Sequence, residues 1–282
     1  MTSTAAEVEP YAHCDAEVLA VRRIGGSLVR VTFGGPGLRD ITSSGPDQRI
    51  KVFLPRDGEA GPRVPTGPDW YDRYRALPEP ERPVMRTYTI RSARAGEIDV
   101  DFVRHGDVGP ASRWAGRVAP GQRVVIYGPD GRFPGYREGA RLGADYAPPA
   151  DTAWQLIAGD ETALPAVGGI VESLPPGAVA QVYLEVPTED DRLDLARGPG
   201  VSVRWLVRGA GEVHGAALAA AVRAARLPDE PGYAWLAGES GVVRDLRRHL
   251  VRDRGLDRGR VYFGGYWRRG KSEDAPHEPV DD

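Results

Sequence analysis

The chain has a single cysteine, Cys14, in 282 residues. That excludes an internal disulfide framework and a thiolate metal cluster. Its five histidines are scattered and give neither HxxxH nor HExxH spacing, so no metal site is expected. No stretch approaches 18 apolar residues, so no membrane-spanning helix is expected. The start, MTSTAAEVEP, lacks the basic and apolar regions of a secretory signal, and a cytoplasmic protein is the expectation. Formal net charge is -3, which provides no global basic field for nucleic acid. Lysine is almost missing, with Lys51 and Lys271 set against a large excess of arginine, a bias that GC-rich coding explains.

What is present reads as two domains, as the length suggests. Apolar residues make up 41% and charged residues 27%, ordinary values for a globular chain. The first half has β-rich runs at Ala16–Val21, Ser27–Phe33, Arg49–Leu54, Arg86–Ser92, Ile98–Val103 and Gln122–Tyr127, punctuated by Gly, Pro and Asp. Six short strands without a long helix predict a six-stranded antiparallel β-barrel over residues 13–135. The Pro/Gly-rich segment 56–83 interrupts it with one short helix at Trp70–Arg75. The second half alternates. Strands are expected at Trp154–Ala158, Val179–Val186, Val201–Val207, Tyr233–Ala237 and Val261–Gly265, and helices at Thr162–Ser173, Gly215–Ala225 and Val242–Val251. That order predicts a parallel α/β sheet over 152–270, with ligands beyond the carboxyl ends of its strands. Residues 136–151 read as a linker and 271–282 as a disordered acidic tail.

Four segments carry chemistry. In Arg86-Thr87-Tyr88-Thr89, a strand puts Arg86 and Tyr88 on one face and Thr87 and Thr89 on the other. Arg86 can fork onto a phosphate, Tyr88 offers a flat stacking surface, and a threonine hydroxyl can meet a heterocycle. The same string is also good exposed-strand sequence. Next, His105-Gly106 and Gly109-Pro110-Ala111-Ser112 follow a strand and open a helix, where glycines admit a ligand and free N–H groups attract an anion. A plain Gly-Pro turn with a capped helix fits as well. Gly159-Asp160-Glu161-Thr162-Ala163 and Gly238-Glu239 both lie at strand-to-helix junctions. Thr162 suits an N-cap or a phosphate ligand, whereas Asp160 and Glu161 suit a helix cap, a ribose or an amide. No GxGxxG is present.

Together these strings resemble the siderophore-interacting proteins of the ferredoxin-reductase superfamily. The segments are Arg86–Arg91, Asp101–Gly106, Gly109–Trp114, Ala158–Pro165 and Tyr266–Gly270, in that family's order, spanning about Cys14 to Gly270. The resemblance implies an FAD-binding barrel and an NAD(P)H-binding α/β domain. It places Arg86, Thr87, Tyr88 and Thr89 on FAD, with Thr89 near the flavin, and Asp101, Val103, His105, Gly109, Pro110, Ala111 and Ser112 on its phosphates or adenosine half. Asp160, Glu161, Thr162, Ala163, Gly238 and Glu239 fall at the nicotinamide-nucleotide site. Glu185 and Glu189–Asp191 would favour NADH through a ribose hydroxyl, Arg192 and Arg208 NADPH, unless this run is a solvated loop. Lys51, Arg132, Arg268 and Arg269 become candidates for an anionic ferric siderophore. The activity implied is reduction of Fe(III)-siderophore by NAD(P)H through FAD, in a monomer. A general diaphorase, a non-catalytic siderophore-binding flavoprotein and a ferredoxin-type electron donor stay as alternatives.

Overall fold

The structure, a computed structural model, describes residues 8–106, 109–209 and 211–271. Two compact units result. The first contains the chain up to Tyr146 with Pro165–Ser173 and Leu193–Ala196; the second contains Ala147–Leu164, Leu174–Arg192 and the chain from Arg197. The expected tail lies outside the described residues apart from Lys271.

In the first unit the strands are β1 (Tyr11–Arg23), β2 (Leu28–Gly34), β3 (Arg49–Leu54), β4 (Val84–Arg94), β5 (Glu97–Val103) and β6 (Arg123–Pro129). They close into an antiparallel barrel of order β1-β2-β5-β4-β3-β6, which leaves no open edge. Period-two alternation builds it. On β5, Ile98, Val100 and Phe102 enter the core with Val31, Phe33, Val52 and Ile126, all at 0% exposure. Asp99 and Asp101 take the alternate positions and are also buried, so each must be paired. Arg30 forks onto Asp101 at 2.6 and 2.8 Å. Asp99 accepts from Thr32, Ser92 and Arg94. Burial would raise the Asp99 pKa, but these donors hold it well below the usual carboxylate range.

Segment 56–83 carries the short helix α1 (Trp70–Ala76). Tyr74 on it packs with Phe53, Met85 and Val125, which cover the outer side of β3, β4 and β6. Helix α2 is Pro110–Ala115 and α3 is Pro134–Arg137. Beyond α3, the buried Asp47 carboxylate accepts the backbone N–H groups of Asp145 and Tyr146, so the chain stays tied to the barrel up to Tyr146.

The second unit holds a parallel sheet of β7 (Trp154–Gly159), β8 (Ala180–Val186), β9 (Val201–Val207), β10 (Gly232–Glu239) and β11 (Val261–Trp267), in the order β11-β10-β7-β8-β9. Helix α4 (Leu164–Ser173) follows β7, α5 (Ala216–Arg223) follows β9, and α6 (Ser240–Arg248) follows β10 and continues as a π turn, His249–Asp253. Every residue of β7 is buried, as expected for a strand covered on both faces. Successive strands run outward from β7 to β8 and β9, then return to β10 on its other side. The order therefore reverses between β7 and β10, and the carboxyl ends at such a reversal are where open parallel sheets generally bind ligands.

Candidate active site

In the barrel, β4 presents the Arg-x-Tyr-Thr string. Val84, Tyr88 and Ile90 pack toward the core while Met85 joins the outer cluster under α1, so the expected alternation is present. The Tyr88 ring lies 4.2 Å from Phe102 between centroids, and Phe102 lies 5.2 Å from Trp114 on α2. This aromatic chain fixes the motif strand against the helix that opens the neighbouring loop. Arg86 is half-buried and donates to the Met85 carbonyl at 2.7 Å. Thr89 is buried. Lys51 on β3 faces Thr87 in register and donates to its hydroxyl at 2.6 Å, so one candidate substrate residue adjoins the candidate cofactor strand.

Val103 ends β5, and His105, Gly106 and Gly109 lie between it and α2. Ser112 shapes this turn. Its hydroxyl accepts from His105 N at 2.7 Å and donates to the Gly106 carbonyl at 2.8 Å. The single hydroxyl proton is spent there, so Ser112 acts on the loop's form. Gly109 has φ 84° and caps α2, a conformation that favours glycine. Among the described residues, a Cβ at Gly106 or Gly109 would meet nothing within 4 Å. Pro110 and Ala111 begin α2, whose first N–H groups have no partner within the helix. Asp101 is committed to Arg30.

At the crevice of the parallel sheet the two expected segments meet. Asp160 is buried and collects four donors. Thr162 N and its hydroxyl reach Oδ1, and Glu239 N (2.8 Å) and Trp267 Nε1 (2.9 Å) reach Oδ2. Gly238, at φ 139°, allows this approach, since a Cβ there would stand 2.5 Å from Asp160 Oδ2. Because Thr162 is turned onto Asp160, α4 begins only at Leu164. Ala163 is wholly buried. Glu239 caps α6 through Gly241 N and Val242 N, starting that helix at Ser240, two residues before the expected Val242.

A second layer was not expected from sequence. Arg208 bridges Glu161 (2.9 Å) and Glu185 (3.0 Å), both buried. Glu185 also accepts from Gly215 N and Leu218 N at the start of α5. His214 stands 3.5 Å from Glu161, at the limit of hydrogen bonding, and meets the Trp267 ring edge-on at 4.8 Å. Glu185 and Arg208 thus neutralise each other, Glu189 pairs with Arg192, and Asp191 accepts from Thr188. Of the charges proposed to discriminate NADH from NADPH, Glu185, Arg208 and Asp191 are thus engaged within the fold, Glu189 and Arg192 pair at the surface, and Asp190 is exposed.

Burial and the adjoining Glu161 push the Asp160 pKa up. Burial also works to raise Glu161, yet His214 and Arg208 bring it down to about 2. A depressed carboxylate contributes stability that is complete above its unfolded value, 4.5, and is lost as pH falls toward 2. Asp160 acts in the opposite sense, its contribution declining as pH rises. The expected result is that thermal melting of the wild type, followed by circular dichroism, declines steeply from pH 4.5 to 3. In Glu161→Gln it should decline less over that range. Parallel pH profiles would remove Glu161 as a cause.

Of the remaining substrate candidates, Arg132 forks onto Asp130 and lies 3.6 Å from Asp40, and its hydrogen bonds hold Asp130 below the usual carboxylate range. Arg268 and Arg269 are exposed after β11, where Arg269 N donates to Glu239.

An antiparallel barrel carrying Arg-x-Tyr-Thr, followed by a parallel sheet whose order reverses between β7 and β10, is the arrangement of the ferredoxin-reductase fold. The chain belongs to the siderophore-interacting proteins: the siderophore-interacting FAD-binding domain matches residues 17–133 and the siderophore-interacting protein family matches 152–270. It is 32% identical over 256 residues to the ferric vibriobactin reductase of Vibrio cholerae, covering 89% of this chain and 88% of the relative. It is 31% identical over 257 residues to the NADPH-dependent ferric-chelate reductase of Escherichia coli, covering 89% and 91%. The solved siderophore utilization protein from T. fusca superposes with a TM-score of 0.79 at 32% identity, covering 94% of this chain and 96% of that one.

Proposed function

We propose that the protein is a ferric-siderophore reductase, passing electrons from NAD(P)H through FAD to Fe(III) and so releasing iron as Fe(II). The observation that carries this reading is the pairing, in one chain, of the Arg86–Thr89 strand and its glycine turn with a parallel-sheet crevice. The names of the Vibrio and Escherichia relatives support the substrate class.

The barrel residues fit FAD. Arg86 is half-exposed, Tyr88 has one side braced on Phe102, and no described residue stands within 4 Å of a Cβ at Gly106 or Gly109. Arg86 and the start of α2 would hold the diphosphate, with His105 and the Gly109–Ser112 turn toward the adenosine half. Tyr88 and Thr89 would face the flavin or its ribityl chain. When bound, FAD accepts hydride from NAD(P)H and delivers single electrons to Fe(III). The chain needs no iron ligands of its own, because the siderophore supplies them. Lys51 and Arg132 in the barrel unit, and separately Arg268 and Arg269 in the other, are the candidates to attract the anionic complex. Fe(II) is held more weakly than Fe(III) by hard oxygen ligands, so reduction frees the metal. The reaction is placed in the cytoplasm and assigned to a monomer.

One observation favours a second donor. Asp160 occupies the donors Thr162 N and Glu239 N at the crevice where a dinucleotide phosphate would need them. A ferredoxin-type protein supplying electrons would not need them. Visible absorption during anaerobic addition of NADH or NADPH, then a ferric siderophore, separates these readings. Bleaching by nucleotide and recovery with the ferric complex is expected. A flavin band that no nucleotide bleaches, but reduced ferredoxin does, assigns the donor to protein. A band that the ferric complex never restores rejects the reductase.

A further inference from the structure

We propose that the outer face of α6 and its π turn, carrying Arg244, Arg248 and Arg252, docks the C-terminal domain on the anionic lipid headgroups of a membrane surface. Between Arg244 and Arg260 the sequence places seven arginines against three aspartates, in a chain whose net charge is -3. The three exposed arginines recur every four residues and span roughly 12 Å of helix. Their orientation is fixed from behind, where Val243, Leu246 and Leu250 are buried in the domain core.

Of this row, the local acids engage only Arg248. Asp245 pairs with Arg248, Asp253 with His249, and Asp257 caps the following turn through Gly259 N. Arg244 and Arg252 meet no carboxylate among the described residues. Arg254 donates to the Ala225 carbonyl at 3.0 Å, and the exposed Arg223 and Arg226 flank Ala225 in the chain. Like charges one helical turn apart disfavour a helix by themselves, so the arrangement gains stability when an external anion covers it.

The position also fits. Helix α6 leaves the carboxyl end of β10 and runs toward the opposite edge of the sheet. There the Gln181 side chain, in β8, donates to the Arg226 carbonyl. A membrane on this side leaves the crevice at Asp160 and Glu239 uncovered. Among the described residues no helix is long and apolar enough to cross a bilayer, and the attachment is peripheral and salt-dependent. The proposal goes beyond the reductase reading, and its test involves no turnover.

The test is co-sedimentation of the full-length holoprotein with vesicles of phosphatidylglycerol and phosphatidylcholine, or phosphatidylcholine alone. Binding is expected only to the anionic vesicles at low ionic strength. It should be lost at about 0.3 M salt, where the screening length is about 6 Å. Each arginine near the surface is expected to contribute about fivefold, so Arg244→Glu with Arg252→Glu should weaken partitioning by at least about 25-fold. Arg22→Glu with Arg63→Glu, both exposed on the barrel unit, changes the net charge equally and should bind like wild type. Unchanged melting curves establish that both variants are folded. Equal binding to neutral vesicles overturns the proposal, as does equal loss in both double variants. Capture on duplex DNA without any vesicle binding assigns the face to nucleic acid and also overturns it.

Discussion

Arg208→Met is expected to destabilise the C-terminal domain by about 3–5 kcal/mol, the usual result of removing one partner from a buried ionic group. The Arg208 guanidinium joins Glu161 and Glu185, whose side chains are at most 1% exposed. Methionine fills much of the volume but leaves both carboxylates facing each other without a cation. Glu185 keeps Gly215 N and Leu218 N as donors, so Glu161 suffers most. For a domain of this size the loss corresponds to a fall in melting temperature of about 10 °C or more. The second variant decides the cause. Arg208→Met combined with Glu161→Gln should recover part of the loss, because the uncompensated charge is gone. Arg208→Lys should fall between, since its one nitrogen must serve both carboxylates that Arg208 reaches through two. Melting within about 2 °C of wild type for Arg208→Met would falsify the bridge as a stabilising element.

This bridge also shows what the sequence conceals. β3 and β9 are legible to the residue at Arg49–Leu54 and Val201–Val207, because short apolar alternation is bounded there by Pro, Gly or charge. β1 begins at Tyr11, five residues before the expected Ala16. Its extension is stabilised by pairing with β6 up to Tyr11 opposite Pro129, and no local pattern announces a partner so distant in the chain. Arg208 and Glu185 are 23 residues apart and meet because parallel register sets Val207 beside Val186. His214 stands in a Gly-rich segment with no periodicity to mark it, and topology alone brings it to Trp267.

The candidate site divides in the same way. The residue types at the strand-to-helix junctions were legible, whereas their partners were not. Asp160 and Glu161 suited a helix cap, a ribose or an amide, and the resemblance set them and Glu239 at a nucleotide site. The fold engages Asp160 with Thr162 and Trp267, Glu161 with Arg208, and Glu239 with the first turn of α6. The Trp267 indole belongs to a string visible in the sequence, but its hydrogen bond to Asp160 depends on β10 and β11 lying side by side. The barrel motif differs. Its alternation alone sets Tyr88 toward the core and Met85 away, so its geometry followed from period-two reasoning.

Arg86→Ala should therefore reduce FAD retention sharply, given the proposed role of Arg86 on the diphosphate. A charge-assisted hydrogen bond is worth about 1.5–3 kcal/mol, or roughly 10- to 150-fold in dissociation constant. The half-buried position of Arg86 makes a fold-wide collapse an improbable cause of cofactor loss, and melting of the apoprotein checks that directly. The flavin-to-protein absorbance ratio after gel filtration gives the retention. Titration of the apoprotein with FAD gives the affinity. Arg86→Lys keeps a positive charge but lacks the fork, and should recover only part of the binding. Thr87→Val removes the hydroxyl that accepts from Lys51 and should affect FAD far less than Arg86→Ala. If Arg86→Ala retains FAD as wild type does, the diphosphate must be held by the Gly109–Ser112 turn and α2 without the arginine. Loss confined to Arg86→Ala, with the apoprotein equally stable, ties the motif strand to cofactor binding by its charge.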